Sequence, residues 1–199
     1  MGRPLVVVGA SMGGVAAVEA ILAALPPDFP CALAVVLHRG AEAGGDALAS
    51  VLQRHSGLPV FEVEDKDPAL PGCVHLAPAD YHLLVDGDSF ALSTEGRASW
   101  ARPSIDVLFD SAAAALGPDV IAVVLTGASS DGAEGAARVK AAGGAVLVQD
   151  PATAEARAMP AAAIAAARVD RVLALHAIAP ALRELTAKAP PPPLRALRL

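Results

Sequence analysis

Apolar residues along this chain fall into short runs, separated by longer stretches of mixed, helix-forming composition. The first run, Leu5-Val6-Val7-Val8, is continuous rather than alternating and rich in β-branched side chains, the pattern of a strand buried on both faces. Residues 15–25, in which Ala, Glu and Leu dominate, read as a helix stopped by Pro26-Pro27. Ala32-Leu33-Ala34-Val35-Val36-Leu37 is a second strand, followed by a helix over 45–55 and a short strand over 58–63. Between 72 and 94 the rhythm changes. Cys73-Val74-His75-Leu76-Ala77, Tyr81-His82-Leu83-Leu84-Val85 and Ser89-Phe90-Ala91-Leu92-Ser93 are short runs split by Pro78-Ala79-Asp80 and Asp86-Gly87-Asp88. The second break is a hairpin signal. The pattern then predicts a helix over 105–116 ended by Gly117-Pro118, a buried strand over 120–125, and a helix over 133–142 ended by Gly143-Gly144. A strand over 145–149, an Ala-rich helix from Pro160, a strand over 171–175 and a helix from Ala177 complete the order.

Alternating strands and helices predict the α/β class: a three-layer αβα domain on a mostly parallel, doubly wound sheet, with the hairpin as an antiparallel insertion. The domain is expected to span 1–188. Residues 189–199, opening on Ala189-Pro190-Pro191-Pro192-Pro193, are expected to form a flexible Pro-rich tail.

Composition adds limits. At 199 residues the chain can build one sizeable core, and 54 % hydrophobic with 3 % aromatic residues means a core of Val, Leu, Ala and Ile. No apolar run approaches membrane-spanning length, and no secretory signal is expected from the single Arg ahead of the first strand. Cys31 and Cys73 lack metal-like spacing and read as buried free thiols. Together these features predict a cytoplasmic protein. A net charge of −6 argues against nucleic acid or an anionic membrane as partner.

The chemistry centres on Gly9-Ala10-Ser11-Met12-Gly13-Gly14, where a serine follows the first strand and precedes the first helix. Gly9, Gly13 and Gly14 are expected to permit unusual backbone angles and a close approach by substrate. Three readings compete. A dinucleotide loop is disfavoured by Val15 at the third glycine position, by Val85 four residues after the only tyrosine, Tyr81, and by His38-Arg39 where an acidic ribose ligand belongs. The Gly-x-Ser-x-Gly elbow of hydrolases matches literally. The plainest reading is a serine that caps a helix.

Ligands of open α/β sheets bind at the carboxyl ends of strands. Ser11 follows the first strand, His38 the second, and Asp131 the 120–125 strand, in Thr126-Gly127-Ala128-Ser129-Ser130-Asp131-Gly132. Shared by one crevice, they supply a nucleophile, a base and an orienting carboxylate. A serine hydroxyl is a weak nucleophile until a base takes its proton, and histidine does so near neutral pH. Each residue also has a bland reading: hydrogen-bonded histidine, turn aspartate, capping serine. The order Ser, His, Asp, with ten residues ahead of the serine, departs from the ordinary α/β-hydrolase layout.

These residues and several further motifs resemble one family, the catalytic domain of the chemotaxis protein-glutamate methylesterases (the CheB type). The motifs are the Ser11 turn, the strand ending in His38, Ala77-Pro78-Ala79-Asp80-Tyr81-His82-Leu83-Leu84, Arg102-Pro103-Ser104-Ile105-Asp106-Val107-Leu108-Phe109, the loop from Leu125 to Gly132, Gln149-Asp150 and Met159-Pro160. The resemblance implies a triad of Ser11, His38 and Asp131, an oxyanion site at backbone N–H groups near Met12 and Ala128, and no metal or cofactor. It implies hydrolysis of glutamate γ-methyl esters on methylated chemoreceptor helices, and deamidation of receptor glutamines. The family's receiver domain is expected to be missing, which leaves any control to a separate regulatory protein or to local recruitment to receptors. Met12 stands where the family commonly has Thr or another small residue, and Ala128-Ser129 where it commonly has Met-Gly; both departures bear on substrate preference. A general small-ester hydrolase and an inactive scaffold in a chemosensory complex are the alternatives. His82 is read as hairpin support, and His55, His75 and His176 as surface or core residues. Ser129 and Ser130 are read as turn or cap residues. Arg102, before Pro103 and near Trp100, is read equally as a receiver of an acidic substrate helix or as part of a solvated helix-cap region.

Overall fold

A computed structural model of the chain describes residues 4–38, 45–96 and 101–192. Trp100 and residues 193–199 of the tail lie outside them. In chain order the elements are β1 (Leu5–Ala10), α1 (Gly14–Ala24), β2 (Leu33–Leu37), α2 (Gly45–Gln53), β3 (Val60–Glu62), β4 (Val74–Leu76), β5 (His82–Asp86), β6 (Ser89–Ser93) and α3 (Ile105–Leu116). A 3-10 turn over Gly117–Asp119 leads to β7 (Val120–Val124), α4 (Ala133–Ala141), β8 (Ala145–Gln149), α5 (Ala158–Ala166), β9 (Arg171–Leu173) and α6 (Leu175–Thr186).

Seven strands form one parallel sheet in the order β3-β4-β2-β1-β7-β8-β9, and β5 and β6 form the antiparallel hairpin beside it. The chain leaves β1 toward β2 and later returns to β7 on its other side, so the sheet reverses its winding at β1. That reversal opens a crevice at the carboxyl end of β1. Val6, Val8 and Ala10 of β1 face one core, with Ile21 and Leu22 of α1 and Ile178 and Leu182 of α6. Leu5 and Val7 face the other, with Leu108 and Phe109 of α3, Val139 of α4, Met159 of α5 and Phe90 of the hairpin. Burial on both faces is why the strand carries no polar alternation. Among the described residues no helix is long and apolar enough to cross a membrane.

The expected element order holds, with shifts at several ends. Gly9 belongs to β1, paired with Val36 and Val124, rather than to the turn. A β-carbon there would overlap Ile105 of α3, so the close approach at Gly9 is by a core side chain and not by substrate. α5 begins at Ala158, with Pro160 in its first turn, where a missing N–H costs nothing. β9 ends at Leu173, because Ala174 is already the N-cap of α6, which starts at Leu175. At the start of the tail Pro192 is buried, near Gly72.

His75 on β4 is a core histidine. It is fully buried between the Phe61 and Phe90 rings, with centroids 5.1 and 4.9 Å away. Nε2 accepts the Leu70 N–H and Nδ1 bonds the Leu33 carbonyl, both at 3.2 Å. Burial lowers its pKa to about 4, against the upward pull of the Leu33 carbonyl. The unfolded chain takes up this proton near pH 6.5 and the folded protein only near 4, so stability falls as the pH drops through that window. The loss reaches about 3 kcal/mol. Denaturant titrations from pH 7 to 4 should show a shallower decline for His75→Gln than for the parent.

Candidate active site

Ser11 lies between β1 and α1. Its N–H donates to the Thr126 carbonyl at 3.0 Å, and its carbonyl accepts the Gly14 N–H at 2.8 Å. Gly13 caps the helix in the left-handed conformation (φ 72°), which a side chain would strain. The Ser11 hydroxyl caps nothing; it has no hydrogen-bond partner among the described residues. It is half-buried beside the exposed Met12. A β-carbon on Gly127 would run into Met159 and stand 3.0 Å from the Ser11 β-carbon, so those three residues crowd together at the ends of β1 and β7.

His38 stands one strand over. Ala10 is level with Leu37 in the parallel register, and the His38 N–H donates to the Ala10 carbonyl at 3.1 Å. Ser11 and His38 thus leave adjacent strands at the same height, about 5 Å apart by strand spacing. His38 Nε2 lies 2.7 Å from Asp131 Oδ2, with the histidine side chain 16 % exposed and the aspartate side chain fully buried. The structure joins His38 to Asp131 directly, whereas Ser11 meets them by position and not by a hydrogen bond.

Asp131 accepts four hydrogen bonds. Oδ2 takes His38 Nε2 and the Ile105 N–H, both at 2.7 Å; Oδ1 takes the Ser104 hydroxyl and the Asp106 N–H, both at 2.9 Å. The Ile105 and Asp106 donors open α3, so the carboxylate also meets the positive end of that helix. Burial alone would raise its pKa. The bonds from His38, the two N–H groups and Ser104 outweigh that, and the carboxyl stays below its ordinary value, ionised at neutral pH.

The N–H groups of Met12 and Ala128 have no acceptor among the described residues. Thr126 holds this floor in place. Its hydroxyl donates to the Met12 carbonyl at 2.8 Å, and its own N–H is held by Gln149 Oε1 at 2.9 Å. Open donors near an unpartnered hydroxyl can stabilise an oxygen that gains negative charge.

Other candidates resolve to scaffold. The Arg102 guanidinium bonds Asp80 at 2.8 and 3.1 Å and the carbonyls of Thr94 and Glu95, so it ties down the hairpin and is not held open for substrate. His82 is buried, takes the Ser104 N–H on Nδ1 at 3.2 Å and bonds the Gly96 carbonyl through Nε2. It supports Ser104 as well as the hairpin. Ser129 Oγ accepts the Asp131 N–H at 3.3 Å, a turn contact. Among the described residues no cluster could hold a metal ion.

Sequence reasoning missed the roles of Ser104 and Asp106, although both lie in a motif it had singled out. It also missed Glu155, whose side chain covers Gly13. These contacts join residues far apart in sequence and leave no local pattern.

A doubly wound sheet with an unpartnered serine at the carboxyl end of its central strand, level with a hydrogen-bonded His38–Asp131 pair, is an arrangement suited to ester hydrolysis on an α/β scaffold. Relatives narrow that reading to one family. The family model for CheB methylesterase matches residues 6–182. A Leptospira interrogans protein, provisionally named protein-glutamate methylesterase/protein-glutamine glutaminase, is 42 % identical over 180 residues, 90 % of this chain and 93 % of that one. Protein-glutamate methylesterase/protein-glutamine glutaminase 2 of Anaeromyxobacter dehalogenans is 45 % identical over 184 residues, 92 % of this chain and 53 % of that one. The crystal structure of the Thermotoga maritima CheB methylesterase catalytic domain matches with a TM-score of 0.88 at 35 % identity, covering 93 % of this chain and 100 % of that chain. The chain belongs to the CheB methylesterase family, a family of carboxylic ester hydrolases.

Proposed function

We propose that this chain hydrolyses γ-methyl esters of glutamate side chains on methylated chemoreceptor helices in the cytoplasm, with Ser11 as nucleophile, His38 as base and Asp131 as its orienting partner. The observation that carries the reading is the 2.7 Å His38–Asp131 pair, level with an unpartnered serine on the neighbouring strand end. The relatives' names supply the substrate class. The catalytic unit in this reading is 1–188.

In the first half-reaction Ser11 Oγ attacks the ester carbonyl carbon, and His38 takes the hydroxyl proton. Nε2 is committed to Asp131, so Nδ1 is the nitrogen left for that proton. The carbonyl oxygen becomes an oxyanion, which the N–H groups of Met12 and Ala128 receive. The C–O bond to the methoxy group then breaks, and methanol leaves with the proton from His38. The glutamyl γ-carbonyl is now an ester of Ser11. Water attacks it, His38 takes one of the water's protons and returns it to Ser11 Oγ, and the glutamate side chain departs as a carboxylate after losing the other proton to solvent. A glutamine side chain passes through the same acyl-enzyme with ammonia as the leaving group, in keeping with the double name of the relatives. Exposed Met12 gives the approaching helix an apolar contact next to the nucleophile. Control by a separate regulatory protein fits the same reading.

The test is covalent labelling. A fluorophosphonate should add once, to Ser11, as located by peptide mass mapping, and the adduct should vanish in His38→Ala. Labelling at Ser129 or Ser130, or none in a folded protein, would contradict the assignment.

A further inference from the structure

Given Ser11, His38 and Asp131 as the reacting groups, we propose that Asp106 is a positioning residue for the His38–Asp131 pair, acting through a reciprocal cap between two helices. Asp131 precedes α4 but caps α3, through the N–H groups of Ile105 and Asp106. Asp106 sits in the first turn of α3 but caps α4, where its Oδ1 accepts the N–H of Gly132 at 2.9 Å and of Gly135 at 2.7 Å. Each carboxylate therefore fixes the helix start from which the other projects. Gly132 directly follows Asp131 and is held with φ at 94°, so the Asp106 bond clamps the backbone next to the carboxylate that meets His38. Ile105, one residue before Asp106, overlies both Gly9 of β1 and Gly132, so movement of α3 would also disturb the strand that carries Ser11.

The clamp is built at a cost that a plain cap would avoid. Burial pushes the Asp106 pKa up to about 6, the Gly135 N–H pulls it down, and the charge of Asp131 pushes it up again. The two carboxyl groups lie close enough that each acts on the other, and only Asp131 also meets the histidine. Among the described residues no basic side chain pairs with Asp106; Arg138 on α4 is taken by Asp110 at 3.1 Å. Its Oδ1 is held by the two N–H donors, both on the backbone that follows Asp131, and its carboxyl also meets the Asp131 side chain.

The test uses the full chain and a fluorophosphonate as probe, with the saturating labelling rate of Ser11 and the half-saturating concentration measured separately. Asp106→Ala should lower the saturating rate about tenfold to a hundredfold, as a small misplacement of a catalytic group does, and leave half-saturation unchanged. Asp106→Asn, which keeps an oxygen to accept both N–H groups, should regain most of the rate. In an Asp131→Ala background Asp106→Ala should cost nothing further, because the residue acts through Asp131. If circular dichroism shows Asp106→Ala unfolded, Asp106→Ser, whose oxygen is too short to reach both donors, replaces it in both backgrounds. A parental rate in the Ala or Ser variant would overturn the proposal, as would an equal loss with Asp131 already removed. Failure of the parent to label at Ser11, or indifference of that label to His38→Ala, would instead defeat the underlying site assignment.

Discussion

Ser11→Ala will fold like the parent and lose ester hydrolysis by about 10⁴-fold or more. The two halves of this outcome have separate causes. The Ser11 hydroxyl bonds nothing among the described residues, so its removal leaves no buried group unpaired. The turn is fixed instead by backbone bonds to Thr126 and Gly14, which alanine keeps. Stability should therefore change by less than about 0.5 kcal/mol, within the range of surface substitutions. The rate depends on the oxygen itself, because among the described residues no other hydroxyl follows the central strand level with His38. Thermal melts and initial rates of methanol release check both halves. A folded variant with the parental rate would remove Ser11 from the chemistry.

Asp131→Asn should lower turnover by about 10⁴-fold and change KM little, because the imidazole loses its anionic partner while the substrate surface stays in place. The structure adds a second effect that sequence alone did not reveal. Both carboxylate oxygens accept two bonds each, so the amide of asparagine must turn its NH₂ toward at least one N–H donor. If it replaces Oδ1, the Ser104 hydroxyl can rotate to accept, but the Asp106 N–H is left unpaired. A stability loss of about 1–3 kcal/mol should accompany the kinetic one. Rates must therefore be taken below the variant's melting range, with the folded fraction measured by circular dichroism. Near-normal turnover in the folded variant would leave Asp131 as a cap of α3 and nothing more.

That double effect shows where sequence reasoning reaches and where it stops. Unbroken β-branched runs such as Val6-Val7-Val8 announce strands covered on both faces, because only a parallel sheet between helix layers buries both sides. Ser11, His38 and Asp131 stood out as candidates because Ser11 and His38 directly follow apolar strands and Asp131 lies in the loop after another, and such loops gather at one edge of the sheet. The strand order was not legible, since parallel partners are joined through helices and no local pattern names the neighbour. Gly9 looked like part of a substrate turn because its packing against Ile105 spans nearly a hundred residues. Arg102 looked free because its partner Asp80 lies across the hairpin. For Asp131 the structure shows one carboxylate that caps a helix and also meets the histidine. The cap was invisible because the helix is α3, more than twenty residues earlier, and not its own α4.

The central claim is that this chain is a serine esterase for glutamate γ-methyl esters. The most direct measurement is methanol released from a chemoreceptor fragment carrying radiolabelled methyl groups on its glutamates, with the parent and Ser11→Ala run in parallel. The parent should release labelled methanol, leave a free carboxylate at each modified glutamate by mass spectrometry, and turn over the receptor ester faster than a nitrophenyl ester; Ser11→Ala should release none above background. Cleavage of the nitrophenyl ester alone, or equal methanol release by parent and variant, would contradict the account.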